Sequence, residues 1–489
     1  MSSGAVFQLI TNDGKLDSML TADKILKQRL MNVERINRQS QCSDPTPTLL
    51  DIERTHILFV NAHFKPFAAM AYEYQKVKIN AGTATLNSTV TFNIPQFGEF
   101  INDMVLHLRL SPPVLSQDAP TTVGEDEDYF RYHDFAGERL LKKVSFEVNG
   151  NPLDSYERLS MVMLRQFSLG VNKQVGYARM MGQEVALPGY VNQLTTATQN
   201  YREKRWVCNG FQTPTQTKAS GLELFAPLLF WFRDPRIALP SVAIPQGQRF
   251  INVELAPASD FLSIIQRGVN TNSVLSDPAV QFAELYVNNI FVTKEVHDIY
   301  IKRVGFNLIR VHREQKIVVS ESEKEIQLTN MKWPIETLYV GMRLSANTNV
   351  ADRWDKFTHI TDTAFNAHLD AVTAQTHSKL IDKLSISAHG IALYNEFPAE
   401  LFNLYLPYHK GAYNLNTPED QGALAVTFNL YPNSYQPSGH INVSRAREFF
   451  IKYWSSIIDT NNTAELFVLG VAINFLLVAD GTAILRYST

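Results

Sequence analysis

From about residue 50 onward, apolar residues fall at every second position in short runs, and most runs end at a Pro, Gly, Asn or Asp cluster. Val144, Phe146 and Val148 alternate cleanly with polar neighbours, and Ile251, Val253 and Leu255 repeat the pattern against Asn252 and Glu254. Period two is the signature of a strand with one face buried, because successive side chains point to opposite sides of the pleat. Many short strands separated by turn residues define an all-β chain.

The runs form two successive regions. In the first, residues 50–275, β-prone stretches occupy 56–64, 77–79, 90–94 and 104–110, and Asn149-Gly150 marks a tight hairpin turn. The continuous apolar run 228–232 reads as a strand covered on both faces. A polar stretch over 271–283 reads as a linker, and a second region covers 276–489. There Leu338, Val340, Met342 and Leu344 alternate with Tyr339, Gly341 and Arg343, and Asp480-Gly481 closes the chain with a hairpin. Residues 112–128, 189–220 and 345–378 are long polar excursions of the kind that carry exposure or function. Two all-β regions of about 200 residues each point to two sandwiches. One weak internal echo links residues 230–235 (FWFRDP) to 332–335 (KWPI), both aromatic-then-proline breaks.

Residues 1–49 differ. Ala22, Ile25, Leu26, Leu30 and Val33 share one helical face, and the segment reads as a helical arm that needs a surface to dock on. That surface is either the base of its own protein or a partner beneath it.

Composition narrows the function. With 489 residues, 45% hydrophobic and 19% charged, the chain can bury two cores. Its net charge of -3 and lack of any basic block argue against direct nucleic-acid binding. Cys42 and Cys208 read as cytosolic usage, not a disulfide scaffold. The stretch 466–478 is short for a membrane span and is broken by Gly470 and Asn474. No signal-peptide pattern opens the chain, so the Asn-x-Ser/Thr triplets at Asn87, Asn442 and Asn461 read as coincidences.

A search for chemistry finds no constellation. The 12 histidines are scattered, without His-x-His. His389 and His440, each beside a glycine, read as packed or hydrogen-bonded corner residues. No nucleophile elbow, phosphate loop or dinucleotide fingerprint occurs. The run Glu125 to Asp128 lacks calcium-loop spacing and reads as a solvated tip. No catalytic residue, cofactor or metal is expected.

The most specific stretch is 436–450, QPSGHINVSRAREFF. Gln436, Pro437, Ser438 and Gly439 form a stiff turn, Asn442 and Ser444 can satisfy nearby amides, and Arg445 and Arg447 offer charged forks. This QPSG-x-x-N-x-SR corner resembles that of the double jelly-roll major capsid proteins of nucleocytoplasmic large DNA viruses, the African swine fever virus (asfarvirus-like) type above all. Four further blocks share the resemblance in order: residues 61–67 (NAHFKPF), 137–154, 228–250 and 284–312. The first-half loops are short beside that type.

The resemblance implies two tandem eight-stranded antiparallel jelly rolls after the N-terminal helical arm. It further implies a homotrimer with a pseudo-hexagonal outline that tiles an icosahedral shell in the virion, synthesised and assembled in host cytoplasm. Neighbouring capsomers, minor capsid and penton proteins are then the expected partners. Inner membrane-associated proteins would meet the arm, a folding chaperone would act on the chain, and nucleic acid would not be touched directly. The corner reads as structural within its own chain. From a different class, the pattern also admits a carbohydrate-binding or carbohydrate-active β-sandwich protein, which would need paired carboxylates in a cleft or a groove of exposed aromatics.

Overall fold

The computed structural model describes residues 27–28, 31–32, 70–80, 83–116, 129–183, 222–244, 247–265, 274–294, 296–298, 305–350, 353–365, 372–411, 415–444, 448–479 and 482–487. In chain order, eight principal strands come first: Met70–Lys78, Thr89–Asn93, Phe100–Leu110, Leu141–Val148, Asn151–Glu157, Glu223–Pro227, Arg249–Leu255 and Val280–Val292. The first, eighth, third and sixth of these make one sheet, and the second, seventh, fourth and fifth make the other. Every pairing is antiparallel.

Eight more strands repeat the arrangement: Gly305–Val319, Glu323–Gln327, Pro334–Leu344, Lys383–Ala388, Ile391–Pro398, Ala423–Thr427, Phe449–Trp454 and Ala464–Ala479. Their sheets have the same order, first-eighth-third-sixth and second-seventh-fourth-fifth. That order arises when nested hairpins fold over onto themselves, and it is the jelly roll. The chain is therefore two jelly rolls in tandem.

Local chemistry repeats with the topology. Asn149 and Gly150 both adopt positive φ, 50° and 79°, between Val148 and Asn151, which face each other across the fourth and fifth strands. His389 and Gly390 do the same, at 55° and 74°, between the paired Ala388 and Ile391. Such two-residue turns match the right-handed twist of the strands they join. At the C-terminus Ala479 pairs with Thr482, so the expected hairpin forms, although Asp480 and Gly481 lie outside the described residues.

The structure departs from the sequence reading in five places. Val280–Val292 completes the first roll's sheet between its first and third strands, so the rolls divide after residue 292 and not at 275. Residues 228–232 are not a strand: the sixth strand ends at Pro227, and Trp231–Arg233 is a 3-10 turn whose Trp231 and Phe232 are buried. The third strand of the second roll is buried at every position, not on one face. The strand-and-turn reading missed the helix Arg158–Ser168, which buries eight of its residues, the polar Ser160 and Gln166 among them. Finally, the echo pairs the wrong segments. By topology 228–248 corresponds to 428–448, each joining a sixth strand to a seventh over the same length, whereas 332–335 leads into a third strand.

Only Lys27, Gln28, Met31 and Asn32 of the arm are described, and they are helical. The stretches 56–64 and 189–220, residues 125–128 and both cysteines lie outside the described residues. The excursion 345–378 contains a hairpin of its own, Thr358–Phe365 with Val372–Lys379.

Two glycines are packed most closely among the described residues, Gly422 within the second roll and Gly341 across the junction between the rolls. A Cβ on Gly422 would sit 1.8 Å from the Phe357 carbonyl oxygen, and one on Gly341 would sit 2.3 Å from Met163 Cε. Gly422→Ala is expected to lower stability by the upper end of about 1–3 kcal/mol, because the clash is with backbone that cannot swing aside. Gly176→Ala, in the open helix Val171–Met180 with nothing within 4 Å, is expected to raise stability by about 0.5–1 kcal/mol. Denaturant midpoints of the two variants against the parent check both signs.

Candidate functional site

The corner singled out from sequence belongs to the connection 428–448 between the sixth and seventh strands of the second roll. Gly439 holds φ at 137°, a value that side chains rarely adopt, and a Cβ there would approach the Phe428 carbonyl oxygen at 3.1 Å. Ser438 Oγ accepts the Tyr431 amide at 2.8 Å, and the Leu430 amide donates to the Ser438 carbonyl at 3.2 Å. The turn is thereby stitched to the strand end that precedes it. Asn442 Oδ1 accepts the Ser444 amide at 3.1 Å and the Ser444 hydroxyl at 2.7 Å. So Asn442 takes an amide, while Ser444 serves Asn442. Ile441 and Asn442 pair with Ile335 and Pro334, extending the second roll's first sheet. Gln436, Pro437, Gly439 and His440 are exposed at the tip. Arg445 and Arg447, expected to tie the corner down, lie outside the described residues.

Another arginine performs that task. Arg310 donates from Nη2 to the Ser434 carbonyl at 2.7 Å and from Nη1 to the Tyr435 carbonyl at 3.4 Å, and its guanidinium pairs with Glu336. Sequence reasoning passed over this pair. The available signal was Glu336, a lone acidic residue in an otherwise apolar strand start, which must find a cation if buried. The equivalent connection of the first roll uses the same device. Arg249 Nη2 donates to the carbonyls of Ser241 and Ile244 at 3.1 and 2.6 Å, and burial lowers its pKa to about 10. There Leu239 and Pro240 pair with Ile101 and Phe100, as Ile441 and Asn442 pair with their own third strand. The two connections meet: Arg236 stacks over the Tyr435 ring at 4.3 Å.

Between the rolls lies a buried polar seam. Arg165, on the helix Arg158–Ser168, donates from Nε to Glu138 at 3.0 Å and from Nη2 to Asp355 at 2.7 Å. Both carboxylates have fully buried side chains. Burial raises the Glu138 pKa despite Arg165. Burial also opposes ionisation of Asp355, but Lys356 and Arg165 outweigh it and hold that pKa below the ordinary value. Gln166 Oε1 accepts the amides of Glu419 and Asp420, Trp354 Nε1 donates to the Asp134 carbonyl at 2.6 Å, and Asp154 accepts from the His312 backbone and faces its ring. These bonds run from one roll to the other. A carboxylate pair sealed this way, with an arginine between, offers no cleft for substrate.

His389 and His440 are both exposed, so neither is packed; His389 is held through its backbone amide, which donates to the Glu448 carbonyl at 2.9 Å. Among the described residues, no three His, Cys, Asp or Glu side chains group to hold a metal ion, and no helix is long and apolar enough to cross a membrane.

Comparison with known proteins adds a second line. A family model described as large eukaryotic DNA virus major capsid protein matches residues 289–484, and one described as major capsid protein N-terminus matches residues 59–293. The hexon protein p72 of African swine fever virus (isolate Tick/Malawi/Lil 20-1/1983) is 32% identical, with all of both chains covered in an alignment of 649 positions. The relative is thus longer than this chain. The major capsid protein of Phaeocystis pouchetii virus is 22% identical over 83% of this chain and 91% of its own. Among solved structures, the Faustovirus major capsid protein superposes with a TM-score of 0.75 at 32% identity, covering 96% of this chain and 100% of that one. The PBCV-1 virus capsid, at 18% identity and a TM-score of 0.64, shares the fold.

Removing Arg165 would strand two buried carboxylates. Arg165→Met is expected to cost about 3–5 kcal/mol, since the remaining charges lose their partner without regaining water. Arg165→Lys should recover only part of this, because an ammonium cannot bridge both sites as a planar fork does. Urea unfolding of the two variants measures the difference.

Proposed function

This chain belongs to the large eukaryotic DNA virus major capsid protein family, and from that membership we propose that three copies close into one building block whose six jelly rolls give a pseudo-hexagonal outline. The protein is a structural component of the virion, and its place is the capsid. The observation that carries the trimer reading is the repetition within one chain of the same strand order, first-eighth-third-sixth over second-seventh-fourth-fifth. Two equivalent rolls per chain supply six per trimer, so a threefold object fits a sixfold tile. Such blocks meet neighbouring capsomers, and minor capsid and penton proteins complete an icosahedral shell built in host cytoplasm.

The division into an arm at 1–49 and two rolls separated between residues 292 and 305 belongs to the same reading. The arm faces inner membrane-associated proteins, and a chaperone assists folding. The work is assembly, not turnover: the buried seam and the stitched corner fix the angle between the rolls, and repeated weak contacts between blocks then sum to a stable shell. The corner 436–447 is a structural joint in this scheme, with Gly439 setting the backbone and Ser438 and Asn442 holding amides.

Sedimentation of the purified chain is expected to give three times the mass of one 55.4 kDa chain, unchanged when salt is raised, with no shift in melting on adding oligosaccharides. A stable monomer, or a sugar-dependent melting shift, would count against this reading.

A further inference from the structure

The polar seam between the rolls is unevenly supplied with cations. Glu138 and Asp355 share the guanidinium of Arg165, through Nε at 3.0 Å and Nη2 at 2.7 Å. Asp355 has a second cation, because Lys356 Nζ stands 3.2 Å from the same Oδ2 that Arg165 meets. Besides Arg165, Glu138 has a neutral donor, the Tyr177 hydroxyl of the helix Val171–Met180, which donates to Oε1 at 2.8 Å. Both carboxyl side chains are fully buried. Each keeps one oxygen, Glu138 Oε2 and Asp355 Oδ1, that no donor of the described residues reaches. An ionised carboxyl group with half its acceptor capacity unused is costly in the interior, and two such charges side by side repel.

The other charged groups around the seam are committed elsewhere. Asp420, a third buried carboxylate, accepts the amides of Phe357 and Gly422 at 2.6 and 2.8 Å. Arg139 and Arg343 feel the Asp355 charge, but Arg139 donates to the carbonyls of Asp260 and Thr348 at 2.6 Å each, and Arg343 pairs with Glu465 at 2.7 Å. The pKa directions agree with this geometry. Burial raises Glu138, and the Asp355 charge adds to the rise, while Arg165 and Tyr177 oppose it. Burial works the same way on Asp355, yet Lys356 and Arg165 together hold it below the ordinary value. Tyr177 is itself pushed well up by burial and by Glu138, so it stays a donor.

We propose that Glu138 sits in the seam as a neutral acid, and that its proton latches the first roll to the second. The proton turns a stranded acceptor into a donor. It also balances the seam, leaving Arg165 and Lys356 against Asp355 and Asp420.

The direction of the pH response follows. The folded-state pKa of Glu138 lies above its unfolded value, so its contribution is complete below the ordinary carboxylate range and is lost as pH rises through the raised value. Asp355 runs the other way: its depressed pKa gives a contribution that is present above the ordinary range and is lost only in stronger acid. Between those limits the latch is firm in mild acid and loosens toward alkaline pH. Glu138 belongs to the first roll and Asp355 to the second, so what loosens is the joint inside one chain, whatever the number of copies assembled.

Hydrogen exchange of the full chain reads the joint directly. The Glu419 amide donates across the seam to Gln166 at 2.9 Å and the Phe357 amide to Asp420, so both report local opening. Glu138→Gln keeps the size of the neutral acid and removes the titrating proton. At about pH 5 the two amides are expected to exchange alike in parent and variant, and at about pH 8 at least about tenfold faster in the parent. Infrared difference spectra of parent against variant in neutral buffer should show a protonated carboxyl stretch that the variant lacks. Equal exchange at about pH 8, or absence of that band, overturns the proposal. Should Glu138→Gln fail to fold, Asp355→Asn decides. It gives Arg165 to Glu138 alone, so the protonated-carboxyl band should weaken, and an unchanged band overturns the proposal.

Discussion

A β-sheet has two faces, and the first sheet of the second roll is buried on both. Its inner face packs on Leu384, Ile386, Ile451 and Tyr453 of its own roll, while Tyr339, Ala423, Ala425, Phe467 and Leu469 turn outward into the core that continues from the first roll. The third strand accordingly has no exposed residue. Each large apolar side chain withdrawn from water contributes about 1.5–3 kcal/mol, so a second buried face turns two jelly rolls into one body. The rest of the architecture follows from that shared sheet.

Burying a sheet twice leaves little room for polar groups, yet the junction is rich in them. Arg165, Glu138, Asp355, Lys356 and Asp420 are arranged so that each charge meets an opposite charge or a backbone amide, the Asp420 carboxylate accepting the amides of Phe357 and Gly422, and Gln166 accepts the amides of Glu419 and Asp420. Replacing such a set with apolar groups of similar size often leaves stability unchanged or improved. What the polar set adds is direction: hydrogen bonds fix distance and angle, whereas apolar packing tolerates slip. A directional seam therefore holds the two rolls at one angle.

The internal repetition reaches below topology. Both sixth-to-seventh connections have the same length, both add a short strand to the same end of the third strand, and both are held by an arginine donating to loop carbonyls. The fourth-to-fifth turns share positive φ at both central residues, although one reads Asn-Gly and the other His-Gly. The rolls differ in what covers them. In the second roll the outer sheet face is covered, and in the first the fifth strand and its helix are. The complementary surfaces, with Ile391, Tyr405 and Tyr408 on the second roll and Tyr72 and Tyr74 on the first, are exposed.

Sequence alone determined that the chain is all-β in two halves, because period-two alternation and turn residues such as Asn149-Gly150 act locally. It also marked the 436–447 corner, where Pro437 and Gly439 constrain the backbone whatever surrounds them. It could not show that residues 334–344 are covered twice, since an alternating strand looks the same until a second layer arrives. Nor could it show where the helix Arg158–Ser168 sits, because its polar Arg165 and Gln166 turn to Asp355 and Glu419 of the other roll instead of to water. The pairing of Arg310 with Glu336, and of Arg165 with Glu138 and Asp355, joins residues far apart in the chain. Tertiary structure decided those contacts, because a buried charge takes its partner from whichever element the fold brings within reach.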